Sequence, residues 1–302
     1  MKAGATRTVR ARSGRVSATS PVHPVADARI GISGWTYPPW RGTFYPPKLA
    51  QKRELAYAAS RLGSIEVNGT FYGLLKPAAF RSWVAETPDD FVFAVKGSRF
   101  ITHMKKLADA DTTLANFFAS GVLALGDRLG PLLWQLPPTT AFDADRLADF
   151  FTHLPRTLGA VADLAARHDH RITADRALAT TDRPDQPVRH ALEVRHDSFR
   201  TPALGDLLRE HDIALVWADN PGTWPVLDEA TADFRYVRLH GDTELYASGY
   251  TDEALDAWAS RISGWIASGQ DVYVYCDNDA KVRAPYDAMG LMERLGLAKP
   301  PP

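Results

Sequence analysis

Arg235-Tyr-Val-Arg-Leu-His240 is the stretch on which the fold turns. Arg238 and His240 alternate with Val237 and Leu239. A β-strand has a side-chain period of two, so one face carries the arginine and the histidine and the other the aliphatics. Two more stretches read the same way. In Ser64-Ile-Glu-Val-Asn68, Glu66 and Asn68 share a face against Ile65 and Val67. In His190-Ala-Leu-Glu-Val-Arg195, Glu193 and Arg195 share a face against Leu192 and Val194. Such alternation places the polar pairs inside a closed barrel and the aliphatics against surrounding helices.

Five further short apolar runs complete the set: residues 29–34, 91–96, 131–136, 213–218 and 272–277. Each is bounded by turn residues, as buried strands are. Between them, residues 48–62, 76–86, 108–128, 143–168, 201–211 and 252–268 repeat apolar positions at three- and four-residue spacing. Leu147, Phe150, Phe151 and Leu154 form one such stripe; Leu255, Trp258, Ile262 and Trp265 form another. Residues 171–189, with Pro184 and Pro187, read as a longer connection. Eight strands alternating with helices predict an α/β protein, a single parallel (β/α)8 TIM-like barrel. The competing doubly wound open sheet favours a glycine-rich dinucleotide fingerprint, and Gly31-Ile-Ser-Gly34 lacks its spacing.

Composition fits this reading. The 302 residues are 45% hydrophobic and 24% charged, as in an ordinary globular chain. Cys276 is the only cysteine, so neither an internal disulfide nor a multi-cysteine metal site can form. No apolar run reaches the roughly 18 residues of a membrane span. The formal charge of −1 argues against a strongly basic nucleic-acid binder. That sum covers two unlike parts. Residues 1–27 hold five basic residues against Asp27, a balance of +4, which leaves −5 for residues 28–302. Residues 1–27 are expected to be a disordered basic tail, 28–298 the barrel domain and 299–302 a proline-rich end. The tail lacks a secretory apolar stretch; its arginine-rich, acid-poor character also suits a transit peptide, but the expected location is the cytoplasm.

A barrel carries its chemistry at the C-terminal ends of its strands. That rule selects Trp35, Tyr37 and Trp40 after the first strand, and Glu66, Asn68 and Tyr72 at the second. It selects Lys96, Arg99 and His103 at the third and Gln135 at the fourth. Glu193, Arg195 and His196 follow at the fifth, Arg238 and His240 at the seventh, and Asp277 and Asn278 at the eighth. Asp219 follows the sixth strand. Buried charges are costly unless paired, so structural ion pairs are the alternative role for any one of these residues. The aromatic group Trp35, Tyr37, Trp40, Phe44 and Tyr45 is either ordinary packing or a wall for stacking a sugar ring or base. Cys276 reads as a small buried apolar residue.

The same residues carry a family resemblance. Gly31-Ile-Ser-Gly-Trp-Thr-Tyr-Pro-Pro-Trp-Arg-Gly-Thr-Phe-Tyr-Pro46 resembles the opening motif of the YecE-like family, the domain of unknown function 72. Glu66-Val-Asn-Gly-Thr-Phe-Tyr72, Phe93-Ala-Val-Lys96, Arg99-Phe-Ile-Thr-His103, Trp134-Gln-Leu-Pro-Pro138, Glu193-Val-Arg-His196 and Tyr236-Val-Arg-Leu-His-Gly241 follow in order. The resemblance implies a TIM barrel and no established activity. The chain departs from the family in reading Cys276-Asp277-Asn278 where Phe-Asn-Asn is common, and Asp287-Ala288 where Asn-Ala is common.

A surplus of cations among the candidates points to an enzyme for a small anionic, carbohydrate-like or phosphorylated ligand, of isomerase, epimerase or hydrolase type. Glu193 and His240 are the expected proton-handling pair, with Glu66 next in line. No cofactor is expected. The alternatives are a divalent metal held by Glu66, Glu193, His240 and Asp277, and a non-catalytic protein that binds nucleotide or single-stranded nucleic acid. No membrane partner is expected.

Overall fold

The computed structural model describes Met1 and residues 26–300. The tail expected over residues 1–27 lies almost wholly outside the described residues, as do the last two prolines. Eight parallel strands close into one barrel in sequence order. They are β1 (Ala28–Ser33), β2 (Ser64–Val67), β3 (Val92–Lys96), β4 (Leu129–Gln135), β5 (His190–Glu193), β6 (Ile213–Asp219), β7 (Phe234–Leu239) and β8 (Asp271–Cys276). The helices are α1 (Glu54–Arg61), α2 (Gly69–Tyr72), α3 (Pro77–Glu86), α4 (Ala110–Ala119), α5 (Ala144–Thr152), α6 (Leu158–Ala165), α7 (Pro202–Glu210), α8 (Asp252–Ala267) and α9 (Ala284–Arg294). β1 pairs with β8 from Ala28↔Val272 to Ile32↔Cys276, which removes any free sheet edge.

The opening strand behaves as its alternation requires. Phe234, Tyr236 and Arg238 point inward, while Val237 and Leu239 join the apolar shell between strands and helices. The interior is layered, as side chains in a packed barrel are. At the bottom Phe234 meets Tyr273, with ring centroids 5.8 Å apart. Above them Tyr236 lies 5.2 Å from Tyr275, whose hydroxyl is 2.8 Å from that of Ser64. The charged residues form the top layer, where the strands end.

Two of the expected helical stretches are divided. Residues 143–168 form α5 and α6, because Pro155 has no N–H to continue a helix. Thr157 then starts α6 afresh by accepting a hydrogen bond from the Ala160 backbone N–H at 3.2 Å. Residues 108–128 form α4 and a 3-10 segment after Gly121, which sits at φ +129° with Pro77 and Phe80 against it. A Cβ there would lie 2.7 Å from Pro77 Cα. Residues 171–189 are a long connection with one 3-10 turn. The sequence reading did not anticipate α9, which packs on β1, β8 and α8. Among the described residues no helix is long and apolar enough to cross a membrane.

Candidate active site

Arg238 organises the top layer. Its side chain is buried, and every nitrogen of its guanidinium is engaged. Nε donates to Glu66 Oε2 at 3.1 Å and Nη2 to Glu66 Oε1 at 2.9 Å, a two-pronged pair. Nη1 donates to Glu193 Oε2 at 2.7 Å, and Nη2 reaches Asp277 Oδ2 at 2.9 Å and Ser33 Oγ at 3.1 Å. Ser33 Oγ also hydrogen-bonds Glu66, and the Tyr236 hydroxyl donates to Glu66 Oε2 at 2.6 Å from the layer below. Burial works against the arginine's charge, yet Asp277, Glu66 and Glu193 hold its pKa well above the usual value.

Glu193 is also paired with Arg195, whose Nε donates at 2.6 Å. Burial pushes the Glu193 carboxyl up, but Arg195 and Arg238 pull it well below the usual carboxylate range. The same balance, with Arg238 as the main attraction, holds Asp277 low. Arg195 is fixed further by its guanidinium, 3.7 Å from the Trp224 ring centre, and by Nη1 donating to the Tyr246 hydroxyl at 3.2 Å. His240 Nδ1 lies 3.0 Å from Asp277 Oδ2 but off the direction of a hydrogen bond. Neither of its ring nitrogens has an aligned partner among the described residues.

The expected cation surplus is therefore corrected to a balance. Glu66, Glu193 and Asp277 stand against Arg238, Arg195 and Lys96. The four alternative metal ligands are not arranged around a shared empty point. Their carboxylates converge on the Arg238 guanidinium, which takes the position of a cation between them. Among the described residues no group of three or more His, Cys, Asp or Glu has the arrangement to hold a metal ion.

Above this layer a cavity of about 860 Å³ opens at the strand ends. Of the candidate residues, Trp35, Tyr37, Asn68, Tyr72, Lys96, His103, Gln135, Arg195 and Asp277 line it. Gly34, at φ +80°, turns the chain out of β1 so that the Tyr37 hydroxyl returns to the Ser33 carbonyl at 2.6 Å. Glu66, Glu193, Arg238 and His240 lie beneath its floor. Trp40 does not reach it: with Phe44 and Tyr45 it is core, and its Nε1 donates to the Asp279 carbonyl at 3.1 Å. The aromatic group thus divides into two wall residues and three packing residues. Arg99 lines a neighbouring apolar cavity with Phe100 and Met104. His196 accepts the Ser198 backbone N–H at 3.1 Å and so caps a 3-10 turn. Asn278 donates to Asp287 Oδ2 at 2.6 Å and to the Ser248 carbonyl at 2.8 Å, tying β8 to α9. Asp219 accepts from the Tyr250 hydroxyl at 2.7 Å and does not line the cavity.

Two cavity groups have their protonation shifted toward neutrality. Lys96 is 8% exposed, with Nζ 4.5 Å from the Phe71 ring centre. Among the described residues Nζ has no hydrogen bond and no acid within ion-pair distance. Burial, then the nearby Arg238 charge, lowers its pKa to about 8, against the weaker pull of Glu66, Asp277 and Glu193. Asp279 is raised to about 6, first by burial and then by Asp277. His103 is lowered by burial and by Lys96, Arg195 and Arg99, and its Nδ1 is 2.8 Å from Thr102 Oγ1. Sequence reasoning missed Asp279 and Tyr246. Asp279 stands one residue beyond the polar pair Asp277-Asn278, and Tyr246 is in the long loop after β7. A smaller cavity of about 440 Å³ is lined by residues of α4 and α5, where Lys105 Nζ lies 2.7 Å from Asp109 Oδ2 and His153 Nδ1 3.1 Å from Asp111 Oδ1.

The family described as "Protein of unknown function DUF72" matches residues 29–302. The chain is 30% identical over 297 residues to the UPF0759 protein YunF of Bacillus subtilis (strain 168), covering 89% of this chain and 94% of that protein. It is 31% identical over 110 residues to the UPF0759 protein YecE of Escherichia coli (strain K12), 36% of this chain and 38% of that one. The crystal structure of a DUF72 family protein from Thermotoga maritima superposes with a TM-score of 0.68 at 23% identity, over 89% of this chain and 99% of that one. A DUF72 family protein from Enterococcus faecalis gives 0.66 at 16% identity, over 90% and 96%. These two likenesses show the fold. The chain belongs to the DUF72 (UPF0759) family, and its residues from β1 to α9 form that family's barrel.

Proposed function

We propose that the protein is an enzyme that binds a small anionic, carbohydrate-like ligand in the cavity at the C-terminal strand ends and moves protons on it. The observation that carries this reading is the placement of Arg195 and Lys96 in one cavity with Trp35 and Phe71. Arg195 uses Nε for Glu193 and Nη1 for Tyr246, which leaves Nη2 without a partner among the described residues. A guanidinium clamped on one side suits a carboxylate or phosphate on the other, and flat aromatic faces suit a sugar ring. Glu193 and Glu66 act in this reading as counter-ions that hold Arg195 and Arg238. Proton transfer falls to two groups that face the cavity: His103, held below its usual pKa by burial and by Lys96, as acceptor, and Asp279, raised to about 6, as donor. His240, with Asp277, supports that floor. Isomerisation or epimerisation of a sugar phosphate or sugar acid is the reaction type best served by such a pair.

A thermal-shift panel of sugar phosphates, sugar acids and inorganic phosphate tests the binding. A ligand of the native state at about 100 times its Kd adds about 2.7 kcal/mol of stability, a rise of several degrees. At least one anion should raise the midpoint, and Arg195→Gln should abolish that rise. A panel without any shift at millimolar concentration would overturn the proposal.

A further inference from the structure

We propose that the cavity takes a carbonyl compound and that Lys96 Nζ condenses with it to form an imine. This rests on the anion-binding reading above and names the substrate class within it: a small aldehyde or ketone bearing a phosphate or carboxylate.

The argument starts from pairing. A lysine buried at the end of a strand is costly unless an acid compensates it. Three carboxylates are present in the same layer, yet all three are spent on the two arginines. Lys96 is left facing the cavity over the Phe71 ring, with no acid within ion-pair distance among the described residues. A residue kept only as a counter-ion would be placed beside the charge it offsets. An amine kept for nucleophilic attack would be placed as Lys96 is, beside a second cation and in apolar contact, because both raise its neutral fraction. Its affinity for protons follows, with a pKa lowered to about 8 by burial and by Arg238.

The rest of the cavity supplies what the condensation needs. Arg195 sits in the same cavity, where it can hold the anionic end of the compound. The neutral Lys96 amine adds to the carbonyl carbon, forming the C–N bond and converting C=O to a hydroxyl. The hydroxyl leaves as water with a proton from Asp279, and the nitrogen becomes an iminium that keeps one of its original two protons. The other amine proton is relayed through His103 to the carbonyl oxygen as that oxygen becomes the hydroxyl, so His103 keeps none, Asp279 gives one, and one water is released. The iminium then draws electrons from the neighbouring carbon, which is how it would ease removal of that carbon's proton.

The test uses the full chain with pyridoxal 5′-phosphate, an anionic aldehyde, followed by borohydride reduction and peptide mass spectrometry. Lys96 should be labelled on the order of tenfold faster than Lys48, Lys52 and Lys281 at pH 7.5, since its pKa, lowered to about 8, leaves a substantial neutral fraction of its amine there. Excess inorganic phosphate should protect it, and Lys96→Arg, which keeps the charge, should abolish the label while keeping the phosphate thermal shift. Labels confined to surface lysines would overturn the imine; because that readout is on the wild-type chain, it holds even if the variant misfolds. If phosphate shifts the melting point but Lys96 stays unlabelled, the carbonyl inference fails and the anion site stands. If phosphate neither shifts nor protects, the anion reading fails and the inference goes with it.

Discussion

At the residue scale one arginine holds three acids. Arg238→Met keeps the length of the side chain and removes its charge, leaving Glu66, Glu193 and Asp277 buried without their shared partner. Breaking a buried pair in this way costs about 3–5 kcal/mol. Urea denaturation should show a loss of that size, and a loss under 1 kcal/mol would mean the carboxylates find other compensation. Lys96→Met should act in the opposite direction. Its pKa is lower folded than unfolded, so the unfolded chain binds the extra proton between about pH 8 and the ordinary lysine value, and the protonated amine opposes folding below that window. The substitution should therefore stabilise the protein by roughly 1–3 kcal/mol at pH 7 while removing the pyridoxal phosphate label, the trade-off expected of a functional group. Much of this layer was legible in the sequence, because period-two alternation on β2, β5 and β7 is visible without coordinates. What it could not show is which acid takes which cation. Side-chain pairing depends on closure of the barrel, which brings Glu66 and Arg238 together across 172 positions. Asp279 and Tyr246 escaped notice because loop residues carry no period.

At the scale of elements, His190 joins a strand to a helix turn. Its Nε2 donates to the Pro155 carbonyl at 2.8 Å, between α5 and α6, and its Nδ1 accepts the Trp134 indole N–H at 3.1 Å. These two bonds fix the tautomer. Burial lowers its pKa to about 3, against the opposing pull of the Pro155 carbonyl. A histidine lowered on folding contributes stability that is complete above its unfolded value and is lost as pH falls toward the folded one. Unfolding free energy should thus begin to fall below about pH 6.5, and more steeply below about 4.5 as the unfolded-state carboxylates that match Glu193 and Asp277 protonate. A profile flat from pH 7 to 4 would contradict this. Thr157→Ala removes the cap of α6 and should cost about 1 kcal/mol by the same measurement. Strand positions were legible to within two residues because short apolar runs between turn residues have few other uses. The helices were legible less evenly. The buried stripe Ala284, Ala288, Leu291 and Met292 on α9 is broken by Asp287, which is buried to receive Asn278 and Tyr250. A polar residue recruited by a neighbouring strand erases the pattern that marks a helix.

At the scale of the molecule, both ends of the described chain meet at one seam. The Val272 N–H donates to the Asp27 carbonyl at 2.9 Å where β1 meets β8, and α9 covers that seam from outside. A chain ended after Arg283 loses the cover and should lose cooperative thermal unfolding, read by near-ultraviolet circular dichroism; a sharp transition would show that the barrel closes without α9. The balanced cluster under the cavity has a wider consequence. Its charges cancel only while Lys96 keeps a proton that it holds with a pKa of about 8. Anything negative that enters tightens that hold, so binding draws protons out of the buffer. Phosphate titrated calorimetrically at pH 8 should give different heats in HEPES and in Tris, in proportion to the fraction of a proton taken up. The cavity would then act as a proton-exchanging electrode whose charge adjusts to each guest.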